Sequence, residues 1–309
     1  MHVRTATGDI APSLLGRTNY HEHLFQVSPL LPGDALDDEA LSGREAASLA
    51  ESGFDAMIDA TPLGLGRDAA AIARISRRTG LRVVMSTGAH RSEHYAAGHP
   101  LLQATTAQLH AAFAADLTRG ADGTDQGSAD EAVLAGLIKT GIDYWRIDSF
   151  AGRVLEAAAA AHEETGAPIM VHLEHGSAAF EVLDVLASHG VGAHRVVLAH
   201  VDRNPDPGLH AALAERGAYL GYDGAARHRE WPDSALVACL AEVVEAGGGD
   251  RVLLGGDVAR RSRYRAYGGM PGLAYLGERF VPRLREAVGD AALERILVDN
   301  PARLLAWGR

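Results

Sequence analysis

A chain of 309 residues that is 47% hydrophobic and 22% charged can bury a sizeable core, and this length is common for one large α/β barrel domain. A net charge of −11 excludes a general nucleic-acid or acidic-membrane binder, since both need a basic face. The opening segment MHVRTATGDIAPSLLGRT lacks the continuous apolar stretch of a signal peptide, and no segment approaches ~18 apolar residues without charge, so a soluble, cytoplasmic protein is expected.

Along the chain, short β-like runs alternate with Ala/Leu/Glu/Arg-rich helical stretches, the pattern of a parallel sheet wrapped by helices. Strands are expected at 17–23 (RTNYHEH), 55–60 (DAMIDA), 81–87 (LRVVMST), 133–139 (VLAGLIK), 168–172 (PIMVH), 195–200 (RVVLAH), 217–222 (GAYLGY) and 251–257 (RVLLGGD). Intervening stretches such as 153–165 and 177–189 read as helices that end near glycine and are long enough for crossovers. The segment 119–130 (RGADGTDQGSAD) reads as a polar surface loop, and no linker or composition shift marks a second unit. Eight such units predict a (β/α)8 TIM barrel, a single domain over 1–309. The lone cysteine, Cys239 in SALVACLAEVV, is placed on the apolar face of a helix with a packing role.

Of the 29 Lys+Arg residues only one, Lys139, is lysine, and it sits at a predicted strand end in AVLAGLIKTG. An amine, unlike a guanidinium, can lose its proton and react with carbon dioxide to give a carbamate, in effect a new carboxylate. Five predicted strand ends together carry His21, His23, Lys139, His172, His200 and Asp257. In a TIM barrel these ends converge on one mouth, so the six residues are expected to share one pocket. His21 and His23 are two apart on a strand, which turns both imidazoles to one face and sends Glu22 the other way, towards the helices. Neutral imidazoles with an aspartate and a carbamylated lysine suit two divalent cations, with zinc first and manganese, cobalt or iron as alternatives. The remaining histidines, among them His2, His110, His162, His175, His189, His194 and His210, are read as solvated or core residues.

The chain resembles the phosphotriesterase-like branch of the amidohydrolase superfamily. The likeness is carried in family order by NYHEHLF at 19–25, DATPLGLGRD at 59–68, STGAH at 86–90 with Tyr95, GLIKTG at 136–141 and VHLEHG at 171–176. It continues through VLAHVDRN at 197–204, LLGGD at 253–257, YGGMPGLAYL at 267–276 and DNPARLL at 299–305. The resemblance implies a binuclear metal centre with His21, His23 and Asp257 on the more buried ion and His172 and His200 on the outer one. Carboxylated Lys139 and a hydroxide would bridge them, and Asp257 would take the proton during hydrolysis. It also implies Tyr95 as a substrate-binding residue and a homodimer. One departure is Leu173, where family members more often carry threonine after the histidine.

Substrate choice must lie in the loops over the mouth. The last one, VARRSRYRAYGGMPG, interleaves Arg260, Arg261, Arg263 and Arg265 with Tyr264 and Tyr267, and the preceding loop adds Arg227 and Arg229. Arginine forks suit carboxylate or phosphate. Arg227, Arg260, Arg261 and Tyr264 are therefore expected to hold an anionic small-molecule substrate. Members of the resembled family hydrolyse lactones, including phosphorylated sugar lactones, or organophosphate triesters. The cationic rim favours a lactonase with triester turnover as a side activity. The alternatives are a triester hydrolase, an amide or N-acyl hydrolase on the same metal pair, and a non-catalytic binding protein on a barrel scaffold.

Overall fold

The computed structural model describes residues 1–124 and 132–307. A two-stranded antiparallel hairpin, β1 (Val3–Thr5) and β2 (Gly8–Ile10), precedes the barrel strands β3 (Thr18–Glu22), β4 (Ala56–Asp59), β5 (Arg82–Gly88) and β6 (Leu137–Ile142). The circuit continues through β7 (Ile169–Leu173), β8 (Val196–Ala199), β9 (Tyr219–Tyr222) and β10 (Val252–Leu254). These eight strands pair in parallel in chain order. The circuit closes just beyond β10, where the Asp257 N–H donates to the His21 carbonyl at 2.9 Å. The protein is thus a (β/α)8 TIM barrel with helices between the strands.

Alternation along each strand divides the core into two layers. Ile58, Val84, Leu137, Met170, Val197, Tyr219 and Leu253 fill the barrel, while Met57, Val83, Ile138, Val171, Leu198 and Leu220 face the helices. Leu173 belongs to the helix-facing layer, so the departure noted beside His172 does not reach the barrel mouth. Val3, Leu15, Leu304 and Leu305 join the inner cluster. The hairpin supplies part of this plug and was not anticipated, because three-residue strands carry too little periodicity to be recognised.

The helices obey their local signals. The one at Ser149–Thr165 is capped by the Asp148 carboxylate, which accepts from the Ala151 N–H at 2.8 Å, and stops at Gly166 in the left-handed conformation. The stretch expected at 177–189 is helical over Ala179–Ser188. Cys239 is buried in the helix-facing layer. Of the loop expected at 119–130, residues 125–130 lie outside the described residues. Among the described residues, no helix is long and apolar enough to cross a membrane.

The fourth barrel strand is displaced from its expected place, 133–139. The chain at Gly136 is pressed against the N-terminal hairpin, where a Cβ would stand 2.4 Å from the Arg4 carbonyl oxygen, and the ladder begins at Leu137. Lys139 is therefore inside its strand, one layer below the mouth. Its neighbour across the ladder, Gly88, must be glycine: at φ 101° an added Cβ would lie 1.9 Å from the Lys139 carbonyl oxygen.

Candidate metal centre

His21 lies in β3 and His23 just past it, Lys139 in β6, His172 in β7, His200 directly after β8 and Asp257 in the loop after β10. All six are at most 6% exposed. His200 and Asp257 adopt φ values of 67° and 41°. Such left-handed angles in residues other than glycine cost of order 1–3 kcal/mol each and gather at functional sites. Here they break the strands at the mouth.

Hydrogen-bond accounting assigns the tautomers of three rings. His21 Nδ1 lies 3.0 Å from Asp223 Oδ2 and His200 Nδ1 2.6 Å from Asp223 Oδ1. His23 Nδ1 donates to the Thr61 hydroxyl at 2.8 Å, whose own proton goes to the Phe25 carbonyl. An acceptor on Nδ1–H leaves the Nε2 lone pair free, the arrangement that orients a metal-binding histidine. His23 Nε2 and His21 Nε2 stand 3.6 and 3.8 Å from Asp257 Oδ1, and His21 Nε2 is 3.3 Å from Lys139 Nζ. His172 is turned the other way. Its Nε2 pairs with Glu174 Oε2 at 2.9 Å, and its Nδ1 meets His200 Nε2 at 2.8 Å. Two ring nitrogens so placed repel unless a proton or a cation lies between them.

The electrostatics fit ligands. Burial lowers His21 to about 4, helped by Lys139, and lowers His200 to about 3, helped by Arg203. His172 is held well below the usual imidazole range by burial and by His200. All three rings are therefore neutral at pH 7. Burial opposes ionisation of Asp257, but Arg227 and then His21 hold its carboxyl well below the usual range. Its Oδ2 accepts from Arg203 at 3.0 Å and from Arg227. Burial lowers the Lys139 amine to about 8. That amine touches His21 Nε2 and, at 3.1 Å, Met170 Sδ, and among the described residues no carboxylate is within ion-pair distance of it.

Among the described residues, two groups of side chains could hold a metal ion by proximity, His21 with His23 and Asp257, and His21 with His200 and Asp223. The second is better understood as an anchor. Asp223 accepts from the Nδ1 of both rings and from the Tyr20 hydroxyl, and is fully buried. Burial opposes its ionisation, but His200 and then His21 hold it well below the usual range. Asp223 was not anticipated, although it directly follows the strand predicted at 217–222 and the strand-end criterion that selects Asp257 would have found it. Glu22, expected to point away from the face of His21 and His23, does not line the cavity over the centre. Its carboxylate accepts from the Asn19 amide at 3.1 Å and from the Val258 N–H at 3.0 Å, so it ties β3 to the loop carrying Asp257, and burial pushes it up to about 8.

A cavity of about 230 Å³ opens over the centre. Besides His21, His23, His172, His200 and Asp257 it is lined by Arg91, Arg203, Arg227 and Arg260, and by His90, His94 and His175. These three histidines correct the expectation that the remaining ones are all solvent or core residues. Arg227 and Arg260 reach the cavity as expected; Arg261, Tyr264 and Tyr95 do not line it. The Arg261 guanidinium lies over the Tyr267 ring, 5.3 Å from its centroid. Tyr264 is fully buried and donates its hydroxyl proton to the His23 carbonyl, which makes it a prop behind a candidate ligand. The Tyr95 hydroxyl accepts from the His90 N–H at 2.9 Å and donates to the Leu63 carbonyl at 3.0 Å. Both tyrosines are used up by backbone partners because burial without them would strand a hydroxyl.

The sequence profile of the Phosphotriesterase family matches residues 1–305. The chain is 31% identical over 323 residues to a phospho-furanose lactonase of Mycoplasmopsis synoviae, covering 99% of this chain and 92% of that one. A crystal structure of a lactonase from Listeria monocytogenes superposes with a TM-score of 0.92 at 31% identity, covering 100% of each chain. The phosphotriesterase homology protein from Escherichia coli, crystallised with phosphate in its active site, superposes with a TM-score of 0.86 at 29% identity over 95% of this chain and 99% of that one. Fold, converging histidines and relatives agree: the chain is a hydrolytic enzyme belonging to the phosphotriesterase family.

Proposed function

We propose that the chain is a lactonase acting on an anionic lactone, a phosphorylated sugar lactone in the first instance, with a pair of divalent ions at its centre. His21, His23 and Asp257 would hold one ion and His172 and His200 the other, with Lys139 carboxylated between them. The convergence of lone pairs from histidines whose opposite nitrogens are anchored supports this most directly. Zinc suits such imidazole and carboxylate donors, as do manganese, cobalt and iron. Bound ions supply the Lewis acidity that polarises an ester carbonyl and makes water nucleophilic near neutral pH.

The chain's own residues provide the rest. Asp257 Oδ1 faces the space between His21 and His23, where it can accept the proton of the attacking water and return it to the ring oxygen as the lactone opens. Arg203 and Arg227 fix that carboxylate through Oδ2. Both guanidinium groups, and that of Arg91, keep a buried Nε–H without an acceptor. Each of these arginines is ion-paired, Arg203 and Arg227 to Asp257 and Arg91 to Asp143 and Glu174. Yet four arginines against Asp257, Glu174 and Glu230 line one cavity, and the spare Nε–H groups favour an anionic substrate, since a buried donor left unpaired is costly. Triester turnover is a side activity in this reading. The homodimer and the cytoplasmic location are carried over as part of the same proposal, and light scattering reads the former directly.

Three outcomes are expected. Arg227→Ala lowers kcat/KM for a phosphorylated lactone relative to its unphosphorylated counterpart by about 10- to 100-fold, whereas Arg261→Ala changes that ratio less than about twofold. Equal ratios in both variants would remove the electrostatic argument. Asp223→Asn weakens zinc binding by about 10- to 100-fold, because one carboxylate orients two ligand rings; competition with a chelator measures it. Carboxylation needs the neutral amine, and with Lys139 at about 8 roughly a tenth is neutral at pH 7, against roughly 0.03% for an ordinary lysine. The initial rate of reactivation by metal and bicarbonate, at fixed dissolved CO2, should therefore rise about tenfold per pH unit and level off near pH 8. A rate still climbing beyond pH 10 would contradict the lowered amine.

A panel of phosphorylated lactones, neutral lactones and triesters on the metal-loaded protein tests the function itself. The phosphorylated lactones should be the best substrates, and a preference for neutral triesters would overturn the reading.

A further inference from the structure

The segment after β5 brings to the cavity wall two stacked imidazoles that the hydrolytic step does not use. His90 and His94 lie with ring centroids 3.9 Å apart at an interplanar angle of 29°. Each is 6% exposed, and both line the cavity that holds Asp257. Their hydrogen-bond partners set opposite tautomers. The Arg91 backbone N–H donates to His90 Nδ1 at 2.7 Å, so that nitrogen is bare and the proton resides on Nε2. At His94, the Ser28 hydroxyl donates to the His94 carbonyl at 3.2 Å and its oxygen also receives the Leu30 N–H at 3.2 Å. With its single proton so committed, the Ser28 oxygen, 3.2 Å from His94 Nδ1, accepts from Nδ1–H and leaves His94 Nε2 a bare acceptor.

Among the described residues neither Nε2 has a hydrogen-bond partner. The geometry is also supported from behind. The Tyr95 hydroxyl holds the His90 backbone N–H and is itself tied to the Leu63 carbonyl. The stack therefore presents a fixed donor beside a fixed acceptor in a cavity that also carries four arginines and the carboxyl groups of Glu174, Glu230 and Asp257.

A donor beside an acceptor is complementary to hydroxyl groups, each of which both gives and takes a hydrogen bond. We propose that the His90–His94 stack reads the ring hydroxyls of the substrate and so selects polyhydroxylated, sugar-derived lactones over plain alkyl lactones. This rests on the lactonase reading above and goes beyond it in assigning the hydroxyl-recognising residues. A pocket built to hydrogen-bond a substrate hydroxyl rejects the analogue lacking it far more strongly than an apolar pocket rejects an extra one.

The test compares a pentono-1,4-lactone with γ-valerolactone, which keeps the five-membered ring without ring hydroxyls. His90→Phe preserves a stacking ring and removes the donor. It should lower kcat/KM for the pentonolactone about 10- to 30-fold and change that for γ-valerolactone less than about threefold. His90→Gln, which restores a side-chain N–H, should recover most of the loss. Equal losses on both lactones at unchanged metal content, or no preference for the pentonolactone in the parent enzyme, would overturn the assignment. If the parent enzyme opens neither of these but opens a phosphorylated pentonolactone, the lactonase reading stands and calorimetry with pentonate and pentanoate reads the stack. If it opens no lactone at all, the lactonase reading fails and the same calorimetry still reads the stack without turnover. Pentonate affinity that falls about 10-fold in His90→Phe supports hydroxyl recognition; equal affinity in both proteins, or no pentonate binding, overturns it.

Discussion

Asp257→Asn is expected to lower kcat by about 10³-fold while leaving most of the bound metal in place. The amide has the same shape and keeps one oxygen towards His21 and His23, but it cannot take the proton from the attacking water. Equal loss of activity and metal would mark Asp257 as a ligand and nothing more. A second consequence follows from Arg203 and Arg227, which share Oδ2 of this carboxylate. In the metal-free variant these nearly buried guanidinium groups would lose the one carboxylate both contact, a loss of about 3 kcal/mol, visible in chemical denaturation. A metal-free variant as stable as the parent would show that the two arginines find other acceptors.

Lys139→Met should have the other large effect, with activity falling on the order of 10³-fold and metal content falling with it. The substitution is chosen because Lys139 packs against Met170 in a dry barrel interior and a thioether of similar length fits there. Its effect on stability should run opposite to its effect on function. An amine buried with no carboxylate in contact is expensive, so the metal-free variant should melt about 2–4 °C above the metal-free parent. A melting temperature that drops instead would show that the lysine stabilises the barrel, and the loss of activity would then need a structural explanation.

The centre was legible in the sequence for a geometric reason. Barrel topology gathers strand ends, and the period-2 alternation that puts His21 and His23 on one face needs no knowledge of distant contacts. The same alternation sends Leu173 outward, away from His172. What the sequence did not disclose depends on long-range packing. Asp223 could have been selected as a strand-end residue, but its role as an anchor of His21 across 202 positions of the chain depends on that packing. The arginine-rich loop shows the same limit. Arg227 and Arg260 line the cavity whereas Arg261 turns onto Tyr267, a distinction set by short 3-10 turns at Arg261–Arg263 and Arg265–Tyr267 that composition cannot order. Tyr95 and Tyr264 carry chemistry suited to a substrate, yet both spend their hydroxyls on backbone groups because they are buried. The one misplaced strand traces to Gly136, whose close approach to Arg4 is invisible in an apolar run.

The most direct test of the bridged pair of ions is elemental analysis of the chain reconstituted with zinc and ¹³C-bicarbonate, alongside carbon NMR of the same samples. About two metal equivalents per chain and a carbamate signal, both absent from Lys139→Met, are the predicted result. Two equivalents in the parent with no carbamate signal, or a metal content that Lys139→Met leaves unchanged, would contradict it.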